Sequence, residues 1–556
     1  KRCVLEDFTV CSQSHLWKLM MSFYDRKGPD SWSQGIVPHF ITCNAYIGRA
    51  YAKVLMGFLR DCMLPGAKIP LNVNEPLYII ELGTGSGKFS YYMLKALEEM
   101  KDVCSFPFEK IVYVMTDFTE TNFNFWSTHH ALKRYFDSGN LEAGIFDAVN
   151  DDKITLRSGK VLNANSLANP VCIMANYLFD TLYHDIFQVK NGVLTEGLVS
   201  TCSTRESEPD PLDPEIIKRL NNLYKYVPIS ADYYKDEDGD EKHFQRILKW
   251  YLDYFGPMPE GGSILVPIGA LRALRRLARF SNGRALVISG DKGNNNPEQF
   301  AGEMDPHIAV HGSFSLMVNY HAIGMWFTSK GGFALHNPQE EASLKVSCFV
   351  LHPDSPESET ALAAQEWTTP IVEELDNSRM AAFPYLRDVF NESCNSFGPN
   401  DFFVMQRTLK EDIVNPPLKA IVALLKLGDW DPDVFFKFRD AILNQVPNCG
   451  QKLKNDLCRG IPRVWTNYYM LDLEKDIAFE IGRFYYGIRD YANALTHYKL
   501  SSETIGEHHV TYHNQGLCYY SLGKLPTALE FFRKAAAMNA DYEKARSWAE
   551  KVAKEL

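Results

Sequence analysis

The sequence has no Cys-x-x-Cys pair, although it contains 12 cysteines. Such pairs mark zinc sites and dithiol redox sites, so the sequence predicts neither and gives no sign of a bound metal. No apolar run reaches the ~18 residues of a membrane span. Basic residues are outnumbered, with 58 Lys and Arg against 69 Asp and Glu and a net charge of −11. That balance argues against a general nucleic-acid binder, which would carry a basic stripe.

Scattered cysteines without pairing motifs are typical of free thiols in a reducing compartment. We therefore expect a cytoplasmic protein, with the mitochondrial matrix as the alternative. The first residue is Lys1, and a targeting peptide ahead of it would not be visible. The sequence does not predict an oligomeric state.

The most informative segment is Tyr78–Phe89, which reads YIIELGTGSGKF. An apolar run ends on Glu81, three glycines alternate at Gly83, Gly85 and Gly87, and a helical pattern follows. Glycines at such a corner let the backbone turn sharply and approach a ligand with no Cβ in the way. The segment predicts a ligand-binding loop between a strand and a helix, although a glycine-rich turn without a ligand is the alternative.

The spacing of these glycines separates three kinds of nucleotide-binding loop. A P-loop needs four residues before its Gly-Lys pair and then Ser or Thr, whereas here three residues intervene and Phe89 follows. A dinucleotide fingerprint would need its third glycine where Lys88 stands. The pattern Glu-x-Gly-x-Gly-x-Gly instead resembles motif I of the class I S-adenosylmethionine methyltransferases. The resemblance implies S-adenosylmethionine as cofactor, with Glu81 suited to its cationic sulfonium and ammonium groups.

A second acid supports this interpretation. Residues 111–117, IVYVMTD, are typical of a buried strand that ends in Asp117. In doubly wound sheets the acid that ends the second strand accepts hydrogen bonds from ribose hydroxyls. The alternative is a helix cap, for which Asp is also favoured.

A wider resemblance extends over roughly residues 30–408. The strand VCIMAN is followed by Tyr-Leu-Phe-Asp-Thr-Leu, which is similar to the MidA-like family of mitochondrial complex I assembly methyltransferases and their bacterial relatives. In that family the strand ends in Asn-Glu and an Asp-Ala-Leu follows. The other similar segments, in the same order as in the family, are Phe40–Thr42, Gly48–Leu55, Ala285–Asp291, His311–Ser315 and Val318–Ala322. The resemblance implies that Thr42, Phe118 and Asp147 also contact the cofactor, and that Asn176, Tyr177 and Asp180 handle the methyl acceptor.

One departure from the family concerns the acceptor. Members thought to methylate arginine carry a glutamate after the strand-end asparagine, and Tyr177 stands there. A guanidinium is protonated at neutral pH, so an arginine methyltransferase needs carboxylates near its acceptor. Asp180 supplies one such carboxylate, so methylation of arginine remains an open alternative. A second reading has the Asn176 carbonyl accept from an acceptor amide with Tyr177 stacked above it, although no Asn-Pro-Pro-Tyr motif is present.

Three regions are expected along the chain. Residues 1–75 should form an N-terminal helical segment on the cofactor site, and 76–408 a doubly wound, Rossmann-like α/β methyltransferase domain. A helical insertion is expected at about 213–280, broken by an acidic loop around 236–241. Residues 409–556 should form an all-α domain.

The last region repeats with a period of 34 residues. Gly482, Tyr485, Ala494 and Tyr498 recur as Gly516, Tyr519, Ala528 and Phe532. That period, with small and aromatic residues alternating, is the tetratricopeptide signature. Two repeats are fewer than a free array needs, so Leu418–Leu427 and Val434–Val446 are expected to add degenerate ones. Solenoids of this kind offer a concave surface, which predicts binding of a protein or peptide; the alternative is that the repeats brace the catalytic domain or mediate self-association.

Two hypotheses follow. The first is an active methyltransferase, acting on a nitrogen of a protein substrate that the helical repeats recruit. The second is a scaffold or assembly factor built on a methyltransferase fold that has lost catalysis, because a fold does not fix a function.

Overall fold

The computed structural model describes residues 2–27, 40–235, 242–338, 343–352 and 367–556. The chain forms two compact units. The first contains Lys1–Cys43 and Ile47–Asn400, and the second contains Asn44–Tyr46 and Asp401–Leu556. The change from one unit to the other falls eight residues before the expected boundary at 408.

Strands are numbered along the described chain. They are β1 Cys3–Val10, β2 Leu77–Leu82, β3 Ile111–Asp117, β4 Leu141–Ile145, β5 Ile154–Thr155, β6 Val161–Leu162, β7 Val171–Asn176, β8 Asp185–Lys190, β9 Val193–Ser203, β10 Leu223–Pro228, β11 Gly262–Val266, β12 Ala285–Asp291, β13 Gly293–Asn294, β14 Ala309–His311, β15 Ser313–Ser315, β16 Val318–Asn319, β17 Phe333–His336 and β18 Lys345–Leu351.

The α-helices are given by their bounds. In the first unit and at its end they are His15–Lys27, Ala45–Cys62, Lys88–Glu99, Glu120–Thr128, Lys133–Ser138, Lys242–Phe255, Ile268–Ala278, Tyr320–Ser329, Thr369–Met380 and Pro384–Phe390. The remaining helices are Pro399–Glu411, Leu418–Leu427, Pro432–Lys437, Arg439–Gln445, Gln451–Thr466, Ile477–Gly487, Tyr491–Thr504, His509–Ser521, Leu525–Met538 and Glu543–Glu555.

A seven-stranded sheet in the order β17-β18-β12-β7-β2-β3-β4 organises the first unit. Strands β12, β7, β2, β3 and β4 are parallel, and β18 runs antiparallel to its neighbours β12 and β17. All residues of β2 and β12 are buried, as expected where helices cover both faces of a parallel sheet. The sheet is therefore mixed and mostly parallel, and the α/β fold predicted from the sequence is confirmed.

The order of the strands locates a crevice. From β2 the chain continues to β3 and β4 on one side, and then crosses to β7 on the other side of β2. In open α/β sheets ligands bind outside the carboxyl ends of the strands at such a switch point. The switch point here lies between the ends of β2 and β7, where the glycine loop and Asn176 follow their strands.

A second, antiparallel sheet corrects the expected helical insertion. Strands β1, β9, β8 and β11 form it, and β10 pairs with β9. Strands β10 and β11 lie inside 213–280, together with the helices Lys242–Phe255 and Ile268–Ala278. The first four residues of LYKYVP in β10 alternate between exposed and half-buried, a two-residue period that the helical interpretation overlooked. Strand β1 likewise adds a strand to the N-terminal segment expected to be helical. The acidic stretch 236–241 lies outside the described residues.

The second unit is all-helical where the structure describes it. Each of its last five helices contacts the next one along the chain, with turns before Tyr491, His509, Leu525 and Glu543. A Cβ on Gly482 would lie 2.7 Å from a ring carbon of Tyr498, and one on Gly516 would lie 2.7 Å from a ring carbon of Phe532. The two positions 34 residues apart thus make the same contact in two successive helix pairs. The segment Val434–Val446, expected as one helix, is two short helices broken at Phe438.

Candidate functional site

The glycine loop turns through three residues in left-handed backbone. The φ angles of Gly83, Gly85 and Gly87 are 60°, 63° and 89°, a backbone region that residues other than glycine rarely adopt. A Cβ on Gly83 would also lie 2.8 Å from Cδ1 of Leu178. The loop joins β2 to the helix Lys88–Glu99. The predicted sharp turn between strand and helix is confirmed.

Asp117, at the end of β3, holds the glycine loop in place. Its Oδ2 accepts hydrogen bonds of 2.9 Å from the Gly85 N–H and from Nδ2 of Asn122. Its Oδ1 accepts from the N–H of Phe118. Burial raises the pKa of the carboxyl, and these donors oppose the rise. Because a carboxylate oxygen can accept two hydrogen bonds, Oδ1 retains capacity for one more donor.

Glu81 lies elsewhere than expected. Its Oε1 accepts hydrogen bonds from the hydroxyls of Ser90, at 2.5 Å, and Tyr113, at 2.6 Å. Burial raises its pKa to about 7. The side chain is absent from the walls of both clefts described below. The carboxylate expected beside a sulfonium instead joins β2 to the helix Lys88–Glu99 and to β3, because an acid at the end of a fully buried strand can satisfy its oxygens inside the fold.

The first cleft, here the glycine-loop cleft, opens beside Gly83 and Asp117 and contains about 620 Å³ of atom-free space, part of it open to solvent. Asp147, which comes shortly after the end of β4, lies on the wall of this cleft. Its Oδ1 accepts a hydrogen bond from the Val149 N–H, and its Oδ2 accepts one from Nδ2 of Asn150. No Lys or Arg is found among the described residues of this wall. They are Trp17, Met20, Met21, Tyr24, Gly83, Thr116, Asp117, Phe118, Phe146, Asp147, Ala148, Val149, Leu178, Thr181, Leu182 and Tyr183.

The structure thus brings four of the predicted cofactor residues to one wall, namely Gly83, Asp117, Phe118 and Asp147. Gly85 and Gly87 shape the loop behind it. Thr42 is buried in a single 3₁₀ turn, Phe40–Thr42, and lines neither cleft.

The second cleft, here the Asp180 cleft, has about 550 Å³ of atom-free space, including open solvent. Two of its residues, Tyr24 and Thr181, also line the glycine-loop cleft, so the two clefts share part of a wall. Tyr24 comes from the helix His15–Lys27 and was not singled out in the sequence. The lining residues are Tyr24, Tyr177, Asp180, Thr181, Lys292, His311, Ser313, Phe314 and Ser315.

Tyr177 and Asn176 are fixed by β12. Tyr177 has left-handed backbone, with φ of 46°, and its N–H donates to the carbonyl oxygen of Gly290 over 2.9 Å. Such a conformation is strained for an aromatic residue. It turns the ring onto the wall of the Asp180 cleft. Asn176 lines neither cleft, because its Oδ1 accepts from the hydroxyl of Tyr51 and from the Gly290 N–H.

Asp180 faces a second acid that the sequence did not assign. The Asp180 N–H donates to Oδ2 of Asp291, the last residue of β12, over 3.1 Å. The two carboxyl groups are also within hydrogen-bonding reach of each other. Burial raises the pKa of both acids; the neighbouring Asp180 raises the pKa of Asp291 further, whereas the hydrogen bond with Asp291 lowers that of Asp180. The signal for Asp291 was a buried apolar run ending on an acid, the pattern that had identified Asp117.

No helix in the described part of the chain is both long and apolar enough to cross a membrane. Within those same residues, the structure places no group of three or more His, Cys, Asp or Glu side chains where they could hold a metal ion.

No family model matches the chain, and no curated protein matches it in sequence. Among solved structures, an uncharacterized COG1565 superfamily protein from Burkholderia thailandensis is 11% identical, with a TM-score of 0.34 over 63% of this chain and 97% of that one. A second COG1565 superfamily member from the same organism, a candidate methyl transferase bound to S-adenosyl-homocysteine, is 11% identical, with a TM-score of 0.31 over 69% and 90%. The CurJ carbon methyltransferase is 9% identical, with a TM-score of 0.23 over 51% and 50%. Similarity this distant assigns no function, which must come from the residues of the site.

Proposed function

We propose that the protein is an S-adenosylmethionine-dependent methyltransferase. The observation that carries this proposal is the set of side chains on the described wall of the glycine-loop cleft, which includes two carboxylates, Asp117 and Asp147, and no Lys or Arg; the nearby Arg276 is engaged by the carbonyl oxygens of Ala148 and Val149. A nucleotide with phosphates needs cations or several backbone N–H groups around its anionic oxygens. A nucleoside with a sulfonium and an ammonium group suits the acidic wall instead.

The residues of the cleft fit such a cofactor. Asp117 Oδ1, with room for one more donor, would accept from a ribose hydroxyl. The rings of Phe118 and Phe146 and the side chain of Val149 offer an apolar surface for a purine. Gly83 leaves space beside the backbone that a Cβ would narrow. S-adenosylmethionine would supply an electrophilic methyl group to an acceptor in the neighbouring Asp180 cleft.

We assign the acceptor role to a nitrogen that enters the Asp180 cleft. The shared residues Tyr24 and Thr181 make the two clefts neighbours, as transfer of a methyl group in line between two ligands requires. Tyr177 and Asp180 are the predicted catalytic residues that line this cleft. The two acids Asp180 and Asp291 would suit a cationic or proton-bearing nitrogen, and arginine remains one candidate.

We also propose that the acceptor belongs to a protein that the second unit recruits. Its equivalent glycine–aromatic contacts at a 34-residue period support tetratricopeptide-like repeats. Helical repeats of this kind present extended surfaces for peptides. A chain truncated after residue 410 should still bind the cofactor. The set of proteins to which it transfers a labelled methyl group should differ from that of the full chain. An unchanged set would show that the helical unit does not select the substrate.

Calorimetry tests the proposed activity. S-adenosylmethionine should bind to the full chain, and ATP should not, because the acidic wall disfavours phosphates. The variant Gly85→Arg should lose the cofactor, since Gly85 has left-handed backbone and its N–H is held by Asp117. Thermal unfolding of the same variant shows whether the fold survives. Failure of the parent protein to bind S-adenosylmethionine would refute the proposal.

A scaffold without catalysis is the second candidate, and one observation favours it. Asn176 Oδ1, expected to accept from the acceptor, is already engaged by two donors within the protein. Transfer of a labelled methyl group into an extract of the source organism distinguishes the candidates. Cofactor binding without any labelled product would support the scaffold.

A further inference from the structure

We propose that Arg276 is a positioning residue for the cofactor, which holds the turn formed by residues 147–151, here the Asp147 turn, so that the carboxylate of Asp147 stays on the wall of the glycine-loop cleft. This inference rests on the proposed function. Arg276 belongs to the helix Ile268–Ala278 and comes 128 residues after Ala148. It does not line the cleft, and it acts through the backbone next to Asp147.

Two successive peptide groups lie between Arg276 and Asp147. Nη2 of Arg276 donates to the carbonyl oxygen of Ala148 over 2.7 Å and also to that of Val149. The N–H of each of these peptide groups points the opposite way, as in any trans peptide. The Val149 N–H donates to Oδ1 of Asp147 over 2.9 Å, and the Asn150 N–H donates to the carbonyl oxygen of the same aspartate over 3.3 Å. Arg276 and Asp147 therefore fix the orientation of both peptide groups together.

The carboxylate of Asp147 keeps its charge in this arrangement. Both acceptors of Arg276 Nη2 are neutral carbonyl oxygens. The carboxylate accepts instead from the Val149 N–H and from Nδ2 of Asn150. Among the described residues Oδ2 accepts one hydrogen bond, so it has room for a second donor from a ligand. Arg276 thus orders the turn without a direct ion pair that would cancel the negative charge facing a cationic cofactor.

The helix that carries Arg276 is firmly anchored. Leu274 and Leu277 are buried in the hydrophobic core, and Ala148 and Val149 pack against the same core. The guanidinium is therefore held at a fixed place relative to the turn. Without it, two partly buried carbonyl oxygens would lose their donor, which is costly. The turn would then rearrange to expose them to water, and the carboxylate that it carries would leave the cleft wall.

Arg276→Met is the principal test, because methionine keeps an aliphatic side chain and removes the donors. Calorimetry should show that the dissociation constant of S-adenosylmethionine rises about 10-fold. Arg284→Met is the matched control. Arg284 is also half-buried, its Nη2 also donates to two backbone carbonyl oxygens, those of Leu167 and Ala168, and it lines neither cleft. Thermal unfolding should show similar losses of stability in both variants, whereas Arg284→Met should bind the cofactor within a few-fold of the parent protein.

A double-mutant cycle shows whether Arg276 acts through Asp147. If it does, Arg276→Met combined with Asp147→Asn should bind the cofactor about as weakly as the weaker of the two single variants. The effects of Arg276→Met and Asp117→Asn should add, because the Asp117 carboxylate bonds to the glycine loop. A general loosening of the fold would give additive effects in both pairs. Arg276→Lys should restore most of the affinity, because an ammonium group can donate to both carbonyl oxygens.

Hydrogen exchange tests the turn without any ligand. The N–H groups of Val149 and Asn150 should exchange about 10-fold faster in Arg276→Met than in the parent protein, because the turn opens more often. In Arg284→Met they should exchange at the rate of the parent protein. If Arg276→Met does not fold, Arg276→Gln takes its place with Arg284→Gln as control, since the glutamine amide keeps a shorter donor.

The outcomes separate the two proposals. If the parent protein does not bind S-adenosylmethionine, the proposed function fails. If it binds and Arg276→Met binds equally well, or if Arg284→Met loses as much affinity, the function stands and Arg276 does not position the cofactor. Additive effects of Arg276→Met and Asp147→Asn, or unchanged exchange at Val149, would overturn the inference as well.

Discussion

The hydroxyl of Tyr51 donates a 2.7 Å hydrogen bond to Oδ1 of Asn176, and the Gly290 N–H donates to the same atom over 3.0 Å. An amide oxygen has two lone pairs, so both are used within the protein. In the described chain Nδ2 of Asn176 is buried without a hydrogen-bond partner. The amide that the sequence assigned to the acceptor therefore joins the helix Ala45–Cys62 to strands β7 and β12.

Replacing Tyr51 by Phe should loosen this junction without affecting the cofactor. The change leaves Asn176 Oδ1 with one donor and should lower the free energy of unfolding by about 1 kcal/mol. Affinity for S-adenosylmethionine should stay within a few-fold, because neither Tyr51 nor Asn176 lines a cleft. Chemical denaturation and calorimetry measure the two quantities. A large loss of cofactor affinity would show that Asn176 contacts the cofactor after all.

Asp117→Asn should weaken cofactor binding much more than it weakens the fold. The negative charge is lost, and the amide NH₂ that replaces one carboxylate oxygen cannot accept a hydrogen bond, so the side chain has fewer acceptor positions for the loop and a ribose hydroxyl together. We expect a 10- to 100-fold rise in the dissociation constant, the equivalent of roughly 1.5–3 kcal/mol. Asp137→Asn is the control, since Asp137 is exposed and pairs with Lys133. Equal affinities of Asp117→Asn and Asp137→Asn for S-adenosylmethionine would show that Asp117 does not contact the cofactor.

Glu81 should make stability depend on pH in a defined direction. Its pKa is raised from 4.5 to about 7, so the folded state binds the extra proton between these values. The stability that this proton contributes is present below pH 4.5 and is lost as the pH rises through 7. Glu81→Gln does not titrate, so its deficit relative to the parent protein should shrink across this range, by roughly 3 kcal/mol at most.

Unfolding midpoints of the parent and of Glu81→Gln, taken at several pH values between about 5 and 8, measure this difference. The exposed Glu550, changed to Gln, provides a reference whose difference from the parent should stay constant. A Glu81→Gln deficit that grows with pH would show that Glu81 is ionised in the core.

Two glycines of one helix should respond oppositely to alanine. A Cβ at Gly482 would lie 2.7 Å from the ring of Tyr498, whereas Gly487 has no heavy atom within 4 Å of that position. Gly482→Ala should therefore destabilise the helical unit by about 1–3 kcal/mol through overpacking. Gly487→Ala should be neutral or stabilising by up to about 1 kcal/mol, because alanine favours helix. Thermal unfolding of the full chain compares them, and a harmless Gly482→Ala would show that the repeat does not depend on this close helix contact.

The sequence alone predicted those elements whose pattern lies within a short stretch of the chain. Strands β3, β7 and β12 and the glycine loop were recognisable because apolar runs and glycines fall in one short stretch. The shared wall was not recognisable, because Tyr24 sits in a helix more than a hundred residues before Asp180 and no pattern links them. Glu81 was misplaced for a different reason: the sequence shows that an acid ends the strand, but not that Ser90 and Tyr113 reach its oxygen.

Because Tyr24 and Thr181 belong to the walls of both clefts, a molecule in one cleft also sets the boundary of the other. Under the proposed function, the molecule bound in one cleft should therefore change the affinity of the other cleft for its own ligand. Tyr24 would then couple two binding events in addition to shaping the site.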